Sequence, residues 1–255
     1  VVKLARFVVL AIVATVSGAE SQTPDRVPVV VELFTSEGCS SCPPADQVLG
    51  SLAKAQPVAG VQVIPLGMHV TYWDSLGWKD PASLALATSR QQDYGRIFGG
   101  DRVYTPQAVI DGQQEVVGSD EAGVKRAIAR AAAQPHARVT VAPAPASGSI
   151  GVRVTVSELP AGLTEPLDVW WFVTEDGITT AVKRGENGGR TLRHEAVVRL
   201  SETYRIANGA ASMPARELRH GEPPSTWRRD NLRAVVIVQG RNSRRIWGAA
   251  TTPLK

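Results

Sequence analysis

The chain of 255 residues, 43% hydrophobic and 20% charged with 23 Gly and 17 Pro, has the composition of an ordinary folded protein and is long enough to bury a core without covalent staples. Its two cysteines exclude a disulfide-dense scaffold and a four-cysteine zinc site. The formal charge of +4 is unevenly spread: Glu20 to Tyr204 holds 16 basic and 21 acidic residues, whereas Arg205 to Lys255 holds 10 basic and 3 acidic. Two readings of this basic segment stand open. It meets an anionic partner such as a membrane surface or an acidic protein, or its arginines are solvated and answer the acidic remainder. No nucleic-acid-binding motif accompanies them.

In chain order, Lys3 and Arg6 precede an apolar run from Phe7 to Val16, followed by the small residues Ser17, Gly18 and Ala19. This pattern predicts a secretory signal peptide over residues 1–19, cleaved near Ala19. The run is too short for the ~20 apolar residues of a membrane span, and no later stretch reaches that length, so the remaining chain is expected outside the cytoplasm. Val27 to Phe34 reads as a buried strand. A loop from Thr35 to Cys42 carries both cysteines, and Ala45 to Ala55, with Val48, Leu49 and Leu52 on one face, reads as a helix. Val61 to Met68 is a second strand, parallel to the first because a helix separates them. The aromatic loop Thr71 to Pro81 leads to a helix from Ala82 to about Phe98. Gln107 to Ile110 and Gln114 to Gly118 form a hairpin around Asp111-Gly112, and Asp120 caps a helix ending near Ala133.

Beyond residue 136 the pattern changes to short period-two runs: Arg138 to Val141, Ile150 to Val156, Leu167 to Thr174, Ile178 to Val182, Glu195 to Leu200, Ala234 to Gln239 and Ile246 to Ala250. Strands without intervening helices predict an antiparallel, sandwich-like region. The expectation is an α/β unit over residues 20–135 and a β-rich region over 136–255.

Cys39-Ser40-Ser41-Cys42 places two thiols three residues apart at the carboxyl end of a strand and just before a helix. In that arrangement one cysteine attacks a disulfide and the other resolves the mixed disulfide. Residues Val30 to Leu52 resemble the first strand, redox motif and helix of thioredoxin-like proteins. Together LFTSEGCSSCPPAD, HVTYWDSLGWKDP, YTPQAVIDG and RGENGGRTLRH resemble a family of secreted bacterial thioredoxin-like proteins of unassigned function. The resemblance covers almost all of the chain after residue 19. It implies a thioredoxin-like fold with an appended β region, periplasmic residence, and a cis bond at Thr105-Pro106 that presents backbone groups to a substrate strand.

The chain departs from thioredoxin in having Gly38 before the first cysteine, Ser40-Ser41 between the pair, and Pro43-Pro44 after it. Each proline disfavours helical geometry in its predecessor, which predicts a helix starting at Pro44. The site expected from these observations has Cys39 as the attacking and Cys42 as the resolving thiol, with Pro106 and Thr105 shaping the groove; Trp73 and Trp78 either wall it or pack the aromatic insertion onto the sheet. Glu32 is either a buried proton acceptor for the pair or a strand-edge group facing water. The expected partners are protein thiols or disulfides, with no cofactor. Two alternatives stay open: copper or zinc bound by Cys39, Cys42 and His69, and an interaction module with a structural disulfide. His194, Asn187 and Arg190 belong to the resembling segment but carry no assigned chemistry.

Overall fold

In the computed structural model residues 26–100, 102–144, 147–206 and 212–254 are described; the predicted signal peptide lies outside them. β1 (Val27–Thr35) alternates its side chains between two faces, as a strand must. Val29, Val31 and Leu33 pack with Leu49 and Leu52 of α1 (Pro43–Ala55) and with Val124 and Ile128 of α3 (Glu121–Ala132). Val30 and Phe34 pack on the other face with Tyr94 of α2 (Ala85–Ile97). β2 (Val61–His69) runs parallel to β1 from the Val27–Val61 pair to Thr35–His69. On the opposite edge of β1 lies β3 (Gln107–Ile110), antiparallel, followed by β4 (Gln114–Val117).

The Asp111-Gly112 turn has φ of 45° and 68°, the positive values its composition predicts. Gly112 has a second constraint, since a Cβ there would fall 1.9 Å from the Arg244 carbonyl oxygen. Asp120 caps α3 by accepting from Gly123 N at 2.9 Å. α2 starts three residues later than predicted because Leu84 stays extended, its N donating to His69 O at 2.9 Å. Among the described residues no helix is long and apolar enough to cross a membrane.

The C-terminal strands do not build a sheet pair of their own. β7 (Leu167–Glu175), β10 (Val197–Arg205), β12 (Leu232–Gly240) and β13 (Ile246–Pro253) extend the first sheet to eight strands in the order β13-β12-β7-β10-β2-β1-β3-β4. The junction is a parallel contact of β10 on β2 at Val197–Gly67. A Cβ on Gly67 would lie 3.2 Å and 3.3 Å from the carbonyl oxygens of Glu195 and Ala196, so the close approach depends on the missing side chain. A separate sheet, β11-β6-β5, is formed by β5 (Arg138–Pro143), β6 (Ser149–Ser157) and β11 (Met213–Gly221). It packs Val152, Val154 and Leu218 onto Val169, Trp171 and Val236 of the large sheet.

A sandwich therefore exists, but one of its layers continues the N-terminal sheet, and the division at residue 136 separates sequence patterns rather than sheets. The large sheet also curls: Val235, Ile237 and Ile246 join Val30, Ile64 and Met68 in one core, and Ile246 N donates to Asp111 O at 2.9 Å. The remaining ribbon, β8 (Ile178–Ala181) and β9 (Thr191–His194), pairs only with itself.

Candidate functional site

β1 hands the chain to two successive turns, in which Cys39 N donates to Ser36 O and Cys42 N to Cys39 O, each at 3.2 Å. Cys42 is the N-cap of α1, and Pro43 and Pro44 fill its first positions, where a helix offers no acceptor for an amide hydrogen. The helix thus begins one residue earlier than predicted. The turn onto Cys39 holds Cys42 at φ −77° and ψ −37° against the bias of the following proline. Ala45 N and Asp46 N both donate to Cys42 O, so the first turn keeps no spare amide hydrogen for a sulfur.

Cys39 and Cys42 form a disulfide with Cα atoms 5.5 Å apart. Both are 0% exposed, while Ser40 and Ser41 between them are exposed. The bond therefore lies directly beneath an exposed turn. Cys39 Sγ is 3.3 Å from Ser41 Oγ and 3.9 Å from the Thr105 carbonyl oxygen. The Thr105–Pro106 bond is cis, and Trp73 Nε1 donates to Thr105 Oγ1 at 2.8 Å.

Next to this loop sits a buried charged cluster of Glu37, Asp46, His69, Asp80 and His194. Asp80 accepts from Glu37 N at 2.8 Å, Ala82 N at 2.8 Å and His69 Nδ1 at 2.7 Å. Burial alone would raise its carboxyl, but the His69 charge and these hydrogen bonds outweigh burial and hold it down at about 2. His194 presents Nε2 to Glu37 Oε1 at 3.4 Å and Nδ1 to Asp46 Oδ2 at 3.5 Å. Burial would lower its imidazole, yet Asp46 and Glu37 more than offset that and lift it to about 10. His194 is consequently an imidazolium at neutral pH. Trp78 Nε1 donates to Glu37 Oε2 at 2.8 Å, and Thr35 Oγ1 to Asp46 Oδ1 at 2.9 Å.

The connection between β8 and β9 rests on the cysteine loop. Asn187, buried between exposed neighbours, donates through Nδ2 to the carbonyls of Glu37 and Cys39, both at 2.9 Å. Its Oδ1 accepts from Arg190 Nη1 at 2.8 Å. Glu186 Oε2 accepts from Ser40 N at 2.9 Å.

Of the predicted site residues, Cys39, Cys42, Thr105, Pro106, Trp73 and Trp78 gather around this one loop. Glu32 does not join them. It is fully buried, and its oxygens accept from Arg90 and Tyr94 on the face packed against α2. Its burial excludes the reading of a strand-edge group facing water. His69 is spent on Asp80, and among the described residues no three His, Cys, Asp or Glu side chains form a metal-holding group. Sequence reasoning gave Asn187 and His194 no chemistry and passed over Asp80 and Glu186. Asp80 lies in the segment HVTYWDSLGWKDP and the other three in RGENGGRTLRH, whose Gly185 and Gly189 have φ of 75° and 83°, and neither segment's spacing ties them to the cysteines.

Residues 30–239 match the profile of a family described as protein of unknown function (DUF1223). A crystal structure of a protein from Agrobacterium tumefaciens is similar over 89% of this chain and 94% of its own, with 28% identity and a TM-score of 0.67. HBP35 of Porphyromonas gingivalis, 14% identical, is similar in fold over 90% of this chain and 76% of its own, with a TM-score of 0.68. No curated protein matches the chain in sequence.

Proposed function

The chain belongs to the DUF1223 family, which has no assigned activity, and from its own site we propose that it is a thiol–disulfide oxidoreductase working through Cys39 and Cys42. The observation that carries this reading is a disulfide at a strand-to-helix turn with the Cys39 sulfur beside the Thr105 carbonyl. The local order β2-β1-β3-β4, with α1 and α3 on one face and α2 on the other, supports the resemblance to thioredoxin-like proteins.

A substrate thiolate attacks Cys39 Sγ in line with the sulfur–sulfur bond. That bond breaks, Cys42 leaves as a thiolate that takes a proton from water, and a mixed disulfide stands on Cys39. A second substrate thiolate then displaces Cys39, which leaves the substrate oxidised by two electrons and the pair reduced; the reverse sequence reduces a substrate disulfide. Thr105 and Pro106 offer backbone to an extended substrate segment, and Trp73 and Trp78 buttress the loops around it. Protein thiols or disulfides are the partners, and no cofactor takes part. The signal-like N-terminal sequence supports work in an oxidising compartment, the periplasm.

A purely structural bridge is the competing reading, and the complete burial of both cysteines favours it. Against it stands the short closure: a bridge over two intervening residues removes only about 2 kcal/mol of chain entropy from the unfolded state. Trapping decides between them. In cells, a Cys42→Ala variant is expected to accumulate mixed disulfides on Cys39 that disappear in the double variant lacking both cysteines. An identical adduct pattern in the two variants contradicts the exchange reading.

A further inference from the structure

The segment of residues 183–190 reaches the cysteine loop from far along the chain and bonds almost solely to its backbone. Asn187 spends both amide hydrogens on Glu37 O and Cys39 O, and Arg190 holds the amide oxygen. Glu186 takes the Ser40 amide hydrogen. The segment is closed on itself by Gly189 N to Val182 O at 2.8 Å and Gly188 N to Gly185 O at 3.0 Å. A Cβ on Gly185 would come 3.1 Å from Trp78 Cβ, so this segment also seats against the aromatic loop. The ribbon that carries it is outside both larger sheets, so it can move without breaking their ladders. Its far end is pinned by His194 between Glu37 and Asp46.

We infer that residues 183–190 form a cap over the disulfide, with Asn187 and Glu186 as positioning residues that hold the Cys39 turn closed, and that release of this cap precedes attack on Cys39 Sγ. The inference deepens the exchange reading and rests on it for its biological purpose. Its chemistry stands apart: any small thiol meets the same barrier. In the closed state both cysteines have no exposed surface, and an attacking sulfur needs a line of approach to one of them. With the cap released, Cys39 loses the bond that fixes its carbonyl and Ser40 loses the acceptor of its amide, which frees the turn to expose the sulfur.

The test is the rate at which dithiothreitol reduces the disulfide in the full-length protein. One dithiothreitol thiolate attacks Cys39 Sγ and expels Cys42; its second thiolate then displaces Cys39, leaving oxidised dithiothreitol and two cysteine thiols. In the wild-type protein the observed rate is expected to level off at high reductant, because opening becomes limiting. Asn187→Ala and Glu186→Ala are each expected to raise the rate about fivefold or more, the size of effect that loss of one or two net hydrogen bonds gives. Glu186 is exposed, so its variant keeps the fold even if Asn187→Ala does not. A rate strictly linear in reductant, or a Glu186→Ala rate within twofold of wild type, overturns the cap. Levelling and acceleration without trapped adducts in the Cys42→Ala variant leave the cap standing and remove the exchange reading; adducts with linear kinetics do the opposite.

Discussion

His194 lies between Glu37 and Asp46 with 2% of its surface exposed, and its folded value near 10 is above the ordinary 6.5. A raised cationic value stabilises the fold fully below pH 6.5, and that contribution drains away as pH rises through about 10. His194→Gln leaves two buried carboxylates without their cation and is expected to cost about 3 kcal/mol at pH 7. The variant should also show a flatter loss of stability than wild type between pH 7 and 10 in denaturant titrations; equal slopes contradict the assignment. Asp80 has the opposite sign. Its carboxyl is held at about 2 against an ordinary 3.8, so its contribution is present above pH 3.8 and lost as pH falls towards 2. Asp80→Asn should flatten the acid limb of the same titration. At this scale the cysteines and tryptophans were legible because motif spacing and bulk are local properties. The bonds from Glu37 to Asp80 and from Asn187 to the cysteine loop join residues 43 and 148 or more positions apart, and nothing local announces them.

Between elements, the sharpest dependence is the seam of β10 on β2. Gly67→Ala puts a methyl 3.2 Å from the Glu195 carbonyl oxygen and is expected to cost about 1–3 kcal/mol, read as a lowered denaturation midpoint; an unchanged midpoint contradicts the tight seam. Glu32, Arg90 and Gln239 tie β1, α2 and β12 inside the curl of the sheet. Glu32→Gln leaves the buried Arg90 charge unanswered and is expected to destabilise by about 3 kcal/mol without slowing dithiothreitol reduction of the disulfide. A slowed reduction with unchanged stability would return Glu32 to the redox chemistry. Most strands were readable from apolar runs, α1 from its apolar spacing and α3 from its Asp120 cap. β11 was not, because only Met213 and Leu218 are buried along its nine residues and the rest are exposed, several of them charged. β9 was missed as well, because Leu192 is the one apolar residue among its four.

Over the whole molecule, the eight-stranded sheet draws on both halves of the chain, which amphipathic periodicity cannot reveal because it marks faces, not neighbours. A fragment ending near residue 136 would bare the β2 edge and half of a shared core, so it is expected to show no cooperative melt by circular dichroism; a cooperative melt would make that half a self-sufficient unit. Within the basic C-terminal segment Arg241 pairs with Asp168, Arg228 with Glu175, Arg229 with Glu222 and Arg244 with Asp93. The proposed chemistry of this molecule rests on a disulfide at a strand-to-helix turn whose backbone is bonded by a distant segment. Its midpoint potential, from equilibration in dithiothreitol or glutathione buffers with thiol counting, tests that chemistry most directly. Exchange at Cys39–Cys42 predicts a midpoint above about −300 mV, and a value well below that, in the range of inert structural bridges, would contradict it.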